Sequence, residues 1–462
     1  VDYVVYQPDG TYLASVSTTS SATLNLPNLP VTGTYQVFVD PTYGETATAQ
    51  VMVASGTTGG QVTNGASGSF STTVPGQNVY LTFSATAGQN LGFALSDLVT
   101  PNASYVYLTV YNPDGSYAAT QYCYESNNGC QVNLPNTVAG TYSVIVNAPY
   151  DGDRTTSFKS TLSTDLTGTL TINAAKALNV ARRGQNGRLT FSGTSGQTVA
   201  LRIANQTTGP VDREVYYTVI APDGNSVGSL TVSTEGTLNL PGLPASGIYT
   251  VFVDPNYGET VSSSVLVASG VTGKPTTGGA AGSYSTTVPG QYVYLTFTAT
   301  AGQNLGFALS DLVYPNADAW ASAYFAIYDP NGNYVTGNNC YAEYNGCQAN
   351  VGSTLAGTYS VVVTPPGNGG RTMSFKSTLS ADVTGTLTVN TAKALSVTRR
   401  GQNGRLTFSG TAGQTVALRV TNQSTGPTGR DVYYTVLAPD GSSVGSICLL
   451  YTSPSPRDKR QS

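Results

Sequence analysis

The stretch Tyr105-Val-Tyr-Leu-Thr-Val-Tyr111 is followed at once by Asn112-Pro-Asp-Gly115, and together these two segments decide the fold class. β-Branched and aromatic residues fill the first segment, as is usual in β-strands. The second is typical of a hairpin turn, because proline fixes φ, aspartate caps the turn and glycine takes the left-handed position. Similar runs recur along the chain, and none has the spacing of a helical stripe. The sequence therefore predicts an all-β protein.

A repeat runs through the whole chain. A Pro-[Asp/Asn]-Gly tripeptide recurs with spacings of 105, 109, 108 and 109 residues, at Pro8, Pro113, Pro222, Pro330 and Pro439. A Leu-Thr-Phe step keeps the same phase, starting at Leu81, Leu189, Leu295 and Leu406. These spacings predict a tandem array of modules of about 107 residues. Strand signals at intervals of roughly 8–12 residues predict that each module is a two-sheet, jelly-roll-like β-sandwich.

The modules alternate between two types. The sequence GQNLGFALSDLV stands at Gly88–Val99 and again, unchanged, at Gly302–Val313. Likewise GQNGRLTFSG stands at Gly184–Gly193 and at Gly401–Gly410. The repeating unit is therefore a pair of modules.

These landmarks predict five modules and a tail. We expect the C-terminal half of module 1 at 1–55, module 2 at 56–164, module 3 at 165–268, module 4 at 269–381 and the N-terminal half of module 5 at 382–447. The segment that begins Cys448-Leu-Leu-Tyr-Thr-Ser-Pro-Ser-Pro-Arg-Asp458 resembles a translated sequencing adapter. We therefore expect residues 448–462 to be a non-native tail that is disordered or loosely draped over the chain.

Composition excludes several classes of function. Histidine is absent, which removes the usual general base and the commonest metal ligand. Many acidic residues lie in turns, as Asp114 and Asp223 do, so we expect no catalysis and no cofactor. Without the tail the chain has 17 basic and 23 acidic residues, a net charge of −6, which argues against a nucleic-acid partner. No apolar run approaches the ~18 residues needed to span a membrane.

Without Cys448 of the tail the chain has four cysteines, which form two pairs with the same spacing, Cys123 with Cys130 and Cys340 with Cys347. Each pair could close a short loop by a disulfide, and an even count favours an oxidising compartment. A metal site is the competing interpretation, although no histidine accompanies the pairs.

Three charged motifs each allow more than one interpretation. Tyr150-Asp-Gly-Asp153 could offer two carboxylates to an isolated calcium ion. The turns Asp40–Glu45 and Asp254–Glu259 carry one Asp and one Glu each, which favours a charged loop over a metal site. An Arg-Arg step recurs at Arg182-Arg183 and Arg399-Arg400, each followed by a further arginine. It could bind a polyanion, but we favour contacts with acids of the neighbouring module.

Aromatic residues give the candidate contact surface, which comprises Tyr122, Tyr124, Trp320, Tyr341 and Tyr344. Exposed rings among polar neighbours can stack on sugars. They can also pair across strands of their own sheet, or contact a neighbouring chain.

The run from Thr167, with GQNGRLTFSGTSGQTVALR and LNLPGLPASGIYTVFVDP, resembles β-sandwich repeats of large bacterial secreted and cell-surface proteins. More distantly it is similar to the bacterial pre-peptidase C-terminal domain. The resemblance implies a stalk, an adhesive surface or a spacer. We therefore expect an extracellular or cell-surface structural region, whose partners are neighbouring modules, copies of itself or surface glycans. The alternative is a carbohydrate-binding accessory region of a secreted hydrolase.

Overall fold

The computed structural model describes residues 1–26, 28–100, 105–147, 154–210, 212–315, 320–367, 369–426 and 430–449. Strands account for 52% of them, and the helical segments are 3-10 turns of three residues. The all-β prediction is confirmed. The 3-10 turns are Thr42–Gly44, Glu125–Asn127, Asn256–Gly258 and Ala342–Tyr344.

Residues 1–55 form a small antiparallel sheet. Its strands, in the order β2-β1-β3, are β1 (Asp2–Tyr6), β2 (Tyr12–Ser17) and β3 (Gln36–Asp40). The Pro-Asp-Gly step lies in the β1–β2 turn, where Gly10 has φ +86°. That left-handed conformation is the one the turn prediction requires of glycine.

Module 2 contains nine strands that the hydrogen bonds join in the order β4-β6-β11-β8-β9-β10-β7-β12-β5. One hydrophobic core collects their inward side chains, from Val79 to Leu162. The strands are β4 (Thr57–Gly60), β5 (Gly68–Ser71), β6 (Val79–Ala85), β7 (Leu91–Val99), β8 (Tyr105–Tyr111), β9 (Tyr117–Tyr124), β10 (Gly129–Leu134), β11 (Gly140–Val146) and β12 (Ser157–Thr164).

Module 3 has a five-stranded sheet, β13-β15-β20-β17-β18, and a four-stranded sheet, β14-β21-β16-β19. Buried residues of both sheets belong to one core, for example Leu189 and Leu201. The strands are β13 (Leu166–Thr169), β14 (Lys176–Val180), β15 (Gly187–Gly193), β16 (Val199–Gly209), β17 (Val215–Ile220), β18 (Ser226–Val232), β19 (Gly236–Leu240), β20 (Gly247–Pro255) and β21 (Thr260–Ser269).

Module 4 repeats this plan, with sheets β22-β24-β29-β26-β27 and β23-β30-β25-β28 around a third core. Its strands are β22 (Val271–Gly273), β23 (Gly282–Ser285), β24 (Val293–Ala299), β25 (Leu305–Val313), β26 (Ser322–Tyr328), β27 (Tyr334–Tyr341), β28 (Gly346–Val351), β29 (Gly357–Thr364) and β30 (Ser374–Ala381).

The chain divides into two compact units. The first comprises Val1–Thr384 with Leu395–Arg405, and the second comprises Gly385–Ala394 with Leu406–Ser462. The first unit contains modules 1 to 4, whose predicted boundaries stay a prediction. The remaining strands are β31 (Val383–Thr386), β32 (Gly404–Thr407), β33 (Val432–Leu437) and β34 (Ser443–Leu449).

The predicted tail overlaps the last of these strands. β34 pairs with β33 and ends at Leu449, two residues inside the segment 448–462. The rest of that segment, and the prediction that it is disordered, lie outside the described residues.

Candidate functional site

The two identically repeated segments contact each other between modules 2 and 3. A Cβ placed on Gly92, in the middle of β7, would lie 1.8 Å from the carbonyl oxygen of Gly184. Gly306 and Gly401 repeat the relationship at 1.6 Å. Because real Cβ atoms essentially never come so close to another heavy atom, only glycine fits at positions 92 and 306. Backbone therefore packs directly on backbone at both places.

The arginines of the Arg182-Arg183 turn anchor this contact. Arg182 donates hydrogen bonds to the Gly65 carbonyl oxygen at 2.6 Å and to Ser163 Oγ at 3.2 Å, both in module 2. Thr161 of module 2 in turn donates to the Arg183 carbonyl oxygen at 2.9 Å. The turn therefore joins the two modules through neutral oxygen atoms.

The second copy makes the same bonds to module 4. Arg399 donates to the Gly279 carbonyl oxygen and, at 3.1 Å, to Ser380 Oγ. Thr378 donates to the Arg400 carbonyl oxygen at 3.0 Å. This turn too lies against the module that precedes it.

Among the described residues, the direct ion pairs of these arginines lie within one module, and the acids of the neighbouring module favoured from the sequence act only at longer range: Lys159 and, more weakly, Arg183 lower the pKa of Asp97 in module 2. Arg183 pairs with Glu259, and Arg188 pairs with Asp165 at 2.6 Å, so both acids belong to module 3 itself. Asp382 likewise pairs with Arg405, at 2.6 Å. The reason is local: each acid lies near its arginine within one module, and an unpaired buried charge is costly.

Glu259 is fully buried. Burial raises the pKa of this carboxyl group, and the Arg183 guanidinium opposes the rise. The ion pair therefore compensates a desolvation cost, and removal of either partner would leave a buried charge.

Asp254 of module 3 also makes hydrogen bonds across the boundary with module 2. Its carboxylate accepts hydrogen bonds from the side-chain amides of Gln131 and, at 3.0 Å, Asn133, which both lie on β10 of module 2. Burial raises the pKa of Asp254 to about 6, hydrogen bonds from Asn133 and Gln131 oppose this, and the nearby Asp165 carboxylate adds to it. The sequence predicts only a charged loop at Asp254. Gln131 and Asn133 occupy alternate positions of β10 and therefore face the same side of the sheet. This pattern is the sequence signal from which the partners of Asp254 could have been predicted.

A cleft of about 310 Å³ opens beside Asp254, between modules 2 and 3. β9 and β10 line one wall, and β17 and the turn after β20 line the other. The lining residues are Ala119, Thr120, Gln121, Gln131, Val132, Asn133, Tyr216, Asp254, Pro255, Asn256 and Tyr257.

The candidate aromatic residues fall into separate groups. Tyr122 and Tyr124 lie on β9, directly opposite Tyr107 and Tyr105 of β8. Together these four residues are called the tyrosine cluster. The rings of Tyr107 and Tyr122 have centroids 4.6 Å apart and are inclined at 53°. The rings therefore pack against one another across the strands, one of the three arrangements expected from the sequence.

The aromatic candidates of module 4 lie apart from this cluster. Tyr341 and Tyr344 form an edge-to-face pair with ring centroids 5.8 Å apart. Trp320 is 75% exposed. Ser322 and Asn339 occupy the positions that Tyr105 and Tyr122 hold in module 2, so module 4 lacks a full tyrosine cluster.

The cysteines are bonded as Cys123 to Cys130 and Cys340 to Cys347, with Cα–Cα distances of 4.9 and 5.1 Å. Both distances lie in the usual disulfide range. Each bond closes a loop that contains a 3-10 turn and joins the ends of two strands.

Within the described ranges, no group of three or more His, Cys, Asp or Glu side chains could hold a metal ion. The calcium candidate at 150–153 lies outside those ranges. The same part of the chain contains no helix long and apolar enough to cross a membrane.

No protein-family model matches the chain, and no curated protein matches it. Among solved structures, the periplasmic inhibitor of g-type lysozyme PliG from Aeromonas hydrophila is 17% identical, over 22% of this chain and 98% of its own, with a TM-score of 0.16. The M60 catalytic domain of Clostridium perfringens ZmpB with its CBM51-1 and CBM51-2 domains is 9% identical, over 66% of this chain and 34% of that one, at 0.15. A triple jelly-roll turret protein of an archaeal virus is 12% identical. The match covers 66% of this chain and 83% of the viral protein, with a TM-score of 0.17. TM-scores this low carry no argument about the function of this chain.

Proposed function

We propose that the chain is a non-catalytic, extracellular structural array, acting as a stalk, filament or adhesin segment. The observation that carries the proposal is the backbone contact of Gly92 with Gly184, which Gly306 and Gly401 repeat. A contact without intervening side chains leaves little room for the two modules to move. Successive modules are then held at a fixed angle, which is what a spacer requires.

We further propose that the strands group into two-sheet sandwiches of about 107 residues rather than into the turns of one β-solenoid, which a high strand content also fits. In module 2 a single residue pair, Tyr124 with Gly129, joins the five-stranded and four-stranded parts into one sheet. Antiparallel pairing of the long strands supports this, as in β16 with β21. Parallel pairing involves short strands such as β13. Three separate hydrophobic cores support it as well. A sandwich module expressed alone as residues 165–268 should unfold cooperatively, whereas a solenoid segment without its neighbours should not fold.

An extracellular location is supported by the two disulfides, since such bonds persist in oxidising compartments. In module 2 both sulfur atoms lie in the hydrophobic core.

Small-angle X-ray scattering from the full chain tests the structural role. The wild-type chain should give a distance distribution that is unchanged between low and high salt, since the contact is backbone packing rather than exposed charge. The double variant Gly92→Ala/Gly306→Ala should give a broader one. A wild-type distribution as broad as that of the variant would contradict the proposal.

The second candidate is a carbohydrate-binding accessory region of a secreted hydrolase. The tyrosine cluster favours it, because Tyr107, Tyr122 and Tyr124 are each more than one-third exposed. Retention of the full chain on insoluble cellulose or chitin, lost in Tyr107→Ser/Tyr122→Ser, would support this function. The tilt of the rings against one another weakens it, since stacking on a sugar requires a free ring face.

A further inference from the structure

The cleft between modules 2 and 3 combines an aromatic wall with converging polar groups. Tyr216 on β17 is 44% exposed, and its Cα is paired with that of Asp254 on β20. Residues paired in this way project to the same face of the sheet. A tyrosine ring and a carboxylate therefore stand side by side on the module 3 wall.

The opposite wall supplies amides. Gln131 donates through Nε2 to Asp254 and, at 3.3 Å, to Asn186 Oδ1, and its buried Oε1 packs against Gly258 rather than facing the cleft. Gln121 lines the same wall. The cleft is thus lined by amide groups, which can donate and accept hydrogen bonds, and by the Asp254 carboxylate, which accepts them.

The turn after β20 contributes Tyr257 to the module 3 wall of the cleft. Tyr257 has φ +56°, a left-handed conformation that tyrosine rarely adopts, and the Arg213 guanidinium lies 5.1 Å from its ring centroid. Arg213 also donates to the Ser126 carbonyl oxygen of module 2 at 3.3 Å. Strained residues held by several contacts are frequent in ligand sites.

We propose that this cleft binds a neutral saccharide of one or two rings. Sugar hydroxyls both donate and accept, so they suit walls that carry the Asp254 carboxylate and the Gln121 and Asn133 amides, and a tyrosine can cover the apolar face of the ring. An anion would be repelled by Asp254. A metal ion would need more oxygen ligands than one carboxylate supplies. A volume of about 310 Å³ is at the small end of ligand sites.

This proposal is independent of the structural role, because a stalk needs no ligand. It is also distinct from binding at the tyrosine cluster. The test is saturation-transfer difference NMR of the full chain with glucose, galactose, N-acetylglucosamine, maltose and cellobiose, followed by calorimetric titration of any sugar that responds.

The informative variants change one position of the repeat, in module 3 or in module 5. Tyr216→Ala should weaken binding at least about tenfold, since it removes the aromatic face on which the sugar ring would stack. Tyr216→Phe should retain most of the affinity. Tyr433→Ala changes the equivalent residue of module 5, which is 75% exposed, and should leave binding unaltered.

The proposal would be overturned if none of the five sugars gave a response, or if wild type and Tyr216→Ala bound a sugar with equal affinity. It would also be overturned if Tyr107→Ser/Tyr122→Ser lost binding while Tyr216→Ala kept it. The thermal transition of each variant provides the folding control, because an exposed ring contributes little to the core.

Discussion

Gly184 presents its carbonyl oxygen to Gly92 across the boundary between modules 2 and 3, so closely that a Cβ on Gly92 would lie 1.8 Å from it. Gly92 belongs to a strand interior, where glycine normally weakens the sheet. Close approach of another backbone explains why it stands there. The two segments that repeat without change in the sequence are thus two sides of one contact.

Gly92→Ala should disrupt this contact. The added methyl group must displace the Gly184 backbone, and overpacking of this kind typically costs about 1–3 kcal/mol. Calorimetric unfolding of the full chain should show the loss. Hydrogen exchange should locate it in β7 and in the Arg182-Arg183 turn.

Gly242→Ala is the matched control, since no atom lies within 4 Å of a Cβ placed there. It should leave stability within about 0.5 kcal/mol of wild type, as surface substitutions usually do. If Gly92→Ala behaved like Gly242→Ala, the contact would not be close in solution.

Protonation of Asp254, at the contact between modules 2 and 3, should raise the free energy of unfolding as the pH falls. Its pKa is raised to about 6 in the folded protein from an ordinary value of 3.8, mainly by burial. The folded state therefore binds the proton more tightly, and the resulting stability is present below the unfolded pKa and lost as the pH rises through about 6. Between about pH 7.5 and about pH 5 the gain should be of the order of 1 kcal/mol.

Asp254→Asn isolates this effect, because the amide does not titrate and still offers one oxygen acceptor to Asn133. Unfolding of both proteins at the two pH values gives the double difference, in which Glu259 and other titrating groups cancel. A double difference near zero would mean that the Asp254 carboxyl group titrates normally in the folded chain.

Local structure was predictable from the sequence, and the contacts between modules were not. Tyr105–Tyr111 forms β8 and the Pro113 turn joins it to β9, because strand preference and turn chemistry act over a few neighbouring residues. Strand periodicity does not tell which glycine meets another backbone, so the role of Gly92 was missed. The partners of the arginine turn were predicted only in part, because hydrogen bonds to carbonyl oxygens, such as that of Arg182 to Gly65, leave no trace in side-chain chemistry.

Loss of the Cys123–Cys130 bond should destabilise module 2. The loop has eight residues, and the chain-entropy model gives about 2–3 kcal/mol for a bond of this span. Cys123→Ser/Cys130→Ser should lower the midpoint temperature at which module 2 unfolds. Hydrogen exchange in β9 and β10 measures this change. Titration of free thiols in the unfolded wild-type protein should find neither Cys123 nor Cys130.

Cys340→Ser/Cys347→Ser provides the comparison, because the same loop closes in module 4. Each double variant should affect its own module. Reaction of Cys123 or Cys340 with a thiol reagent before reduction would contradict the pairing.

The second compact unit should be less protected than module 3, although the two share sequence. Val432–Leu437 reads VYYTVL and Val215–Ile220 reads VYYTVI, yet β33 is in a two-stranded sheet while β17 is in a five-stranded one. Phe408 is 38% exposed, whereas its equivalent Phe191 is 1% exposed. A two-stranded hairpin with its apolar side chains exposed is marginally stable at best. Amides of β33 should therefore exchange at least about 100-fold faster than those of β17 under the same conditions. Because the two strands differ at only one of six side chains, intrinsic exchange rates nearly cancel, and equal protection would show that β33 is covered in solution.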